Sequence, residues 1–124
     1  MKRGLSERCY MFFKVLANPT RLGIMEALLK DSKSVNEIAK TMKQEQSMIS
    51  HNLEPLEKCG LIFSERSEKQ RLYSLNKETA VPLFELFDYH SKKYCPANGS
   101  CRTEEGVRQM KKKEAAAKLH ITHL

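Results

Sequence analysis

Between Leu5 and Leu16 apolar side chains recur at helical spacing, and the next four residues, Ala17-Asn18-Pro19-Thr20, interrupt the run and restart it. Asn18 is a favourable N-cap, and Pro19 suits the first helical position, where its missing N–H costs nothing. These signals predict one helix, a break, and a second helix through about Lys30. Ser34-Val35-Asn36-Glu37 has the spacing of a capping box, in which the Ser34 hydroxyl and the Glu37 carboxylate satisfy each other's end of a new helix. That third helix is expected to be short and to end near Met42. After a turn at Lys43 and Gln44, Ile49, Leu53 and Leu56 fall on one face of a fourth helix, and Ser47, Ser50, His51 and Glu54 on the other. The first face belongs to a core, and the second is free to read a partner. Pro55 lies inside this helix, where it removes a backbone hydrogen bond and crowds the preceding turn, so a bend or an early end is expected there.

From Cys59 the period shortens. Ile62 to Arg66 and Arg71 to Leu75 read as two strands joined by the charged loop Ser67 to Gln70, a hairpin with a basic tip. Helical spacing returns at Asn76 and places Leu83, Phe84, Phe87 and Tyr94 on a broad apolar stripe through about Tyr94, a face that calls for a partner in another subunit. Pro96 and Asn98-Gly99 break the pattern. Beyond them Thr103 caps a last expected helix, in which Val107, Met110, Ala117, Ile121 and Leu124 recur loosely at heptad spacing, interrupted by Glu114. The expected organisation is a mainly α domain with a small β-hairpin (α+β) over residues 1–94, followed by a cysteine-containing loop and C-terminal helix over 95–124. No internal repeat is present, and the run Lys111 to Lys113 reads as a solvated face.

Composition adds a partner and a compartment. With 124 residues and 40% hydrophobic content, the chain can bury one modest core, and pairing with a copy of itself would complete its burial. A formal net charge of +7 and a pI near 9.3 favour a polyanionic partner, because neutralised phosphates release counterions. The apolar run Cys9 to Ala17 is short and broken by Lys14, so neither a signal peptide nor a membrane span is expected, and a cytoplasmic protein is. The four cysteines are then expected as reduced thiols, available as soft metal ligands or redox groups. No phosphate-cradling glycine loop, nucleophile elbow or paired carboxylates point to an enzyme.

Three helices, a reading helix, a hairpin and an interface helix, in that order, make a winged helix-turn-helix. The stretches FKVLANPTRLGIMEALL, SVNEIAKTMKQEQSMISHNLEPLEKCGLI and SERSEKQRLYSLN closely resemble the ArsR family of dimeric, metal-responsive transcriptional repressors. The resemblance runs from about Leu5 to about Tyr94 and is most specific from Gln46 to Ile62. It implies that Gln46, Ser47, Ser50 and His51 lie at the start of a recognition helix in the major groove of an inverted-repeat operator, with the hairpin as the wing. Short polar side chains at a helix start suit base edges and phosphates, and Arg66, Lys69 and Arg71 on the wing suit phosphate or the minor groove. The first helix and the helix from about Val81 to Tyr94 would form a homodimer interface.

What such a regulator would sense is left between several chemistries. The helix before the recognition helix lacks the cysteine that one recurring family site uses. A second family site pairs Asp-x-His on one subunit with two ligands three apart on the other. Here that resemblance lands on Asp88 and His90 with Cys101 and Glu104, a mixed donor set suited to Zn²⁺. A thiol site is the rival. Cys95 and Cys101 flank a turn-rich loop, thiolates are natural ligands for arsenite, Cd²⁺ or Cu(I), and the pair could instead oxidise to a disulfide. Cys9 would add a third thiolate if the first helix packs on the interface helix. Ligand capture or oxidation would act by restraining the interface helices, shifting the spacing of the two recognition helices. Cys59 is expected as a small buried hydrophobe, and His120 and His123 as surface residues. A winged-helix regulator without metal or redox sensing, and a module that binds protein or RNA, remain the other readings.

Overall fold

In the computed structural model, which describes residues 5–95, the chain runs α1 (Leu5–Leu16), α2 (Pro19–Ala27), α3 (Val35–Met42), α4 (Gln46–Lys58), β1 (Ile62–Ser67), β2 (Gln70–Leu75) and α5 (Lys77–Tyr94). The cap residues set this frame. Asn18 is extended, and its Oδ1 accepts from the backbone N–H of Thr20 at 2.9 Å and of Arg21 at 3.2 Å, which starts α2 at Pro19. Ser34 starts α3 through the expected box: its N–H donates to Glu37 Oε1 at 3.0 Å, and the Glu37 N–H donates to Ser34 Oγ at 3.3 Å. α3 stops at Lys43, a left-handed residue with φ 56° and ψ 45° whose N–H caps the helix from beyond.

Three boundaries differ from expectation. α2 ends at Ala27 rather than near Lys30, because the Leu28 N–H is shared between the Ile24 and Met25 carbonyls at 3.1 and 3.2 Å, tightening the last turn. α4 does not end early at Pro55. The proline forfeits one donor, but its carbonyl accepts from the Cys59 N–H at 3.1 Å and the next residue, Leu56, is fully buried, so packing carries the helix to Lys58. Each strand is one residue longer than read, since Ser67 pairs with Gln70 and only Glu68 and Lys69 form the tip, with Glu68 at φ 55°.

A single-residue bridge was missed altogether. Lys33 pairs with Tyr73, exchanging N–H to carbonyl bonds of 3.0 and 2.8 Å, and so ties the entry of α3 to β2. One paired residue leaves no periodicity for a sequence to display.

The core lies where α2, α3 and α4 pack on one another and α4 meets β1. Ile24, Met25, Leu28, Ile38, Ile49, Leu56, Leu61 and Ile62 are its largest fully buried side chains. Among the described residues no buried side-chain nitrogen or oxygen lacks a partner. Cys59 is not the buried hydrophobe expected: it is exposed, because it sits at the C-cap of α4, one step before the chain turns at Gly60 with φ 76°.

Contacts divide the chain into a unit ending at Ala80 and one beginning at Val81, within α5. In the second, Leu83 and Phe84 are half-buried, whereas Leu86, Phe87, Tyr89 and Tyr94 are exposed. Among the described residues no helix is long and apolar enough to cross a membrane. The expected helix from Thr103, with His120 and His123, lies outside the described residues, as do Pro96 and Asn98-Gly99.

Candidate nucleic-acid interface

α4 presents two chemically opposite faces. Ile49, Leu53 and Leu56 are buried at 0%, 2% and 0% exposure, so the helix cannot rotate without dragging them into water. That fixes Gln46, Ser47, Ser50, His51 and Glu54 outward, and all five are exposed. The N-cap residue Glu45 makes no side-chain cap, the first turn carries no acid, and the Met48 N–H donates to the Glu45 carbonyl at 3.1 Å, which leaves the N–H groups of Gln46 and Ser47 to an outside acceptor. Further along, Lys58 Nζ reaches Glu54 Oε1 at 2.9 Å. Their hydrogen bond holds the Glu54 carboxyl below the ordinary range and the Lys58 amine above it, so the acid on this face carries its own counter-charge.

The hairpin brings up the cations. Arg66, Lys69 and Arg71 are exposed, and Arg66 stands directly opposite Arg71 across the two strands. Arg71 Nη1 donates to Ser64 Oγ at 3.1 Å, and Ser64 Oγ donates to Glu57 Oε2 at 2.6 Å, a chain that joins the hairpin to the last turn of α4.

Two positioning residues escaped the sequence reading. Asn52 is 7% exposed, accepts from Arg21 Nε at 3.1 Å and donates to the Met48 carbonyl at 2.9 Å. Arg21 in turn donates to the Val15 carbonyl at 3.2 Å, so one guanidinium ties the end of α1 to the middle of α4. The signal was present: Ile49, Asn52, Leu53 and Leu56 fall at i, i+3, i+4 and i+7, which puts a polar side chain on the core face, where it must be satisfied. Asn36 on α3 is the other, accepting from Gln46 Nε2 at the start of α4.

The family profile described as "Bacterial regulatory protein, arsR family" matches residues 18–64, from the N-cap of α2 into the first half of β1. The HTH-type transcriptional regulator NmtR of Mycobacterium tuberculosis is 33% identical over 79 residues, which cover 64% of this chain and 66% of that one, just under two thirds of its length. Over that stretch the chain is similar to the ArsR family. Among solved structures, the homodimeric winged helix-turn-helix DNA-binding domain Mb0332 of Mycobacterium bovis superposes with a TM-score of 0.65 at 27% identity, covering 73% of this chain and 83% of that one. Reduced HlyU from Vibrio cholerae superposes with a TM-score of 0.60 at 27% identity, covering 73% and 93%. The fold is thus a winged helix-turn-helix, with α3 and α4 as its two helices and the β1–β2 hairpin as its wing, and the named relatives are regulators rather than enzymes.

In this chain the residues expected as sensors are less assembled than those on the outward face of α4. Asp88 is engaged within its own helix, with Lys92 Nζ at 2.9 Å from its Oδ2. His90 packs on Tyr94, ring centres 5.1 Å apart. Their shared candidate ligands, Cys101 and Glu104, lie outside the described residues. Cys9 and Cys95 are half-buried thiols without a disulfide partner among the described residues. No group of three or more His, Cys, Asp or Glu side chains placed to hold a metal occurs among the described residues.

Proposed function

We propose that this chain is a cytoplasmic transcriptional repressor that binds an inverted-repeat operator in duplex DNA as a homodimer, laying the start of α4 in the major groove and the wing along the backbone. The observation that carries this reading is the outward face of α4, where Gln46, Ser47, Ser50 and His51 are exposed while the opposite face is locked into the core. Homodimerisation finds support in exposed apolar side chains on α1, with Tyr10, Met11 and Phe13 at 61%, 56% and 57% exposure, and in the homodimeric state of Mb0332. Titration of a labelled duplex from the chain's own promoter against a scrambled one tests the reading: selective binding that weakens with salt is expected, and equal, weak binding to both would overturn it.

For regulation, the half-buried thiols of Cys9 and Cys95, with Cys101, favour a thiophilic ligand such as arsenite, Cd²⁺ or Cu(I), or oxidation. The similar HlyU of Vibrio cholerae has a structure in its reduced form, which sits well with a redox arm. Asp88 is already paired with Lys92, so a Zn²⁺ site of Asp88, His90, Cys101 and Glu104 would first have to break that pair. Release of the duplex by a thiol-seeking ion or an oxidant, abolished in a Cys95→Ser/Cys101→Ser variant, is the expected result. Release by Zn²⁺ that depends on Asp88 and His90 would replace the thiol site with the mixed one, and indifference to every ligand would leave a regulator without a sensor.

A further inference from the structure

The wing contains an arrangement that an isolated hairpin would avoid. Its register sets Arg66 against Arg71, and like charges directly opposite each other on neighbouring strands repel. Side chains alternate along a strand, so the two arginines share a hairpin face with Ser64 and with the buried Ile62 and Leu75. That is the face turned towards α4. There the Arg71 guanidinium is steadied through Ser64, which accepts from Nη1 at 3.1 Å and donates a hydrogen bond to Glu57 Oε2 at 2.6 Å. An arginine has five donors, and this contact spends one of them. Glu57 continues the outward stripe of α4, since Ser50, Glu54 and Glu57 fall at i, i+4 and i+7.

An acid at the end of a DNA-reading face would by itself repel the backbone. Glu57 instead faces a hydroxyl that is hydrogen-bonded to a cation, which gives the acid a use. We propose that Glu57 and Ser64 are positioning residues that hold Arg71 beside Arg66, so that the two guanidinium groups close on a single phosphate of the DNA backbone. A phosphate between them cancels their repulsion and receives charge-assisted hydrogen bonds from both. The proposal rests on the DNA-binding reading above and adds to it the two residues that orient the wing.

The test turns on a sign. General electrostatics says that removing an acid from a surface facing a polyanion strengthens binding. Positioning says the reverse: in the full chain, Glu57→Gln and Ser64→Ala are each expected to weaken binding to the operator and to a random duplex alike, by about threefold to tenfold. The double variant should bind no worse than the weaker single, and Glu57→Gln should have no further effect once Arg71→Gln is in place. Melting temperatures should match the wild type, since Glu57 and Arg71 are exposed and Ser64 is only half-buried. Equal or tighter binding by Glu57→Gln overturns the proposal, and so does a loss of binding that merely follows a loss of thermal stability. If the wild-type chain binds no duplex, the DNA reading falls first, an outcome distinct from wild-type binding that Glu57→Gln leaves untouched.

Discussion

Ser47 and His51 act, on the proposed reading, at base edges, where a lost hydrogen bond leaves an unpaired group on the DNA. Replacing either with alanine is expected to cost about 1–3 kcal/mol at the operator and much less at a random duplex, measured by anisotropy on both. Asn52 should behave differently. Asn52→Leu would strand the Arg21 guanidinium next to the core, so it should lower the melting temperature before it touches selectivity. Glu37 gives a pH signature. The Ser34 backbone N–H, reinforced by the Ser34 hydroxyl, holds its carboxyl below the ordinary value of 4.5. A carboxyl depressed in the folded state contributes stability above its unfolded value and loses it as pH falls through the folded value. Thermal melts between about pH 3 and pH 7 should therefore show the wild type above a Glu37→Gln variant near neutrality, with the two curves converging in acid. Parallel curves across that range would show that the box adds no charge-dependent stability.

Elements were legible to the extent that their signals are local. Asn18-Pro19, the Ser34 to Glu37 box and the change of period after Cys59 each follow from neighbours within a few residues, and each element stands where they put it. Pro55 shows what local rules miss, because burial of Leu56, decided by contacts with distant residues, carries the helix past the proline. The Lys33–Tyr73 bridge and the Arg21–Asn52 bond join residues 40 and 31 positions apart, and no window of sequence contains both partners. Among the described residues Lys43, Gly60 and Glu68 are left-handed, and the first two give opposite predictions. Lys43 closes α3 at φ 56°, where Lys43→Gly should raise stability by about 0.5–1 kcal/mol, read as a higher denaturation midpoint. Gly60, at φ 76°, has open space around its α-carbon, so Gly60→Ala should cost about 1–2 kcal/mol through backbone strain alone.

For the assembled molecule, charge and exposed apolar surface point to the same architecture. A net charge of +7 gives the chain a general attraction to DNA, but selectivity for an inverted repeat requires two copies of α4 at a fixed separation. The unpartnered apolar side chains of α1 are where this can be disturbed without touching the reading face. Phe13 is 57% exposed, and on the proposed dimer it is buried against the partner, so Phe13→Glu would place a charge in that interface. The variant is expected to sediment as a monomer with its helical content intact. Its affinity for a half-site should stay near that of the wild type, while the advantage of the full inverted repeat, which comes from joining two binding events, disappears. The slope of log affinity against log salt on the full repeat should fall by about half, since half the phosphates are then neutralised per binding event. If Phe13→Glu remained dimeric and kept the full slope, α1 would lie outside the interface, and the exposed Leu86, Phe87 and Tyr89 of α5 would be the surface that pairs the two subunits.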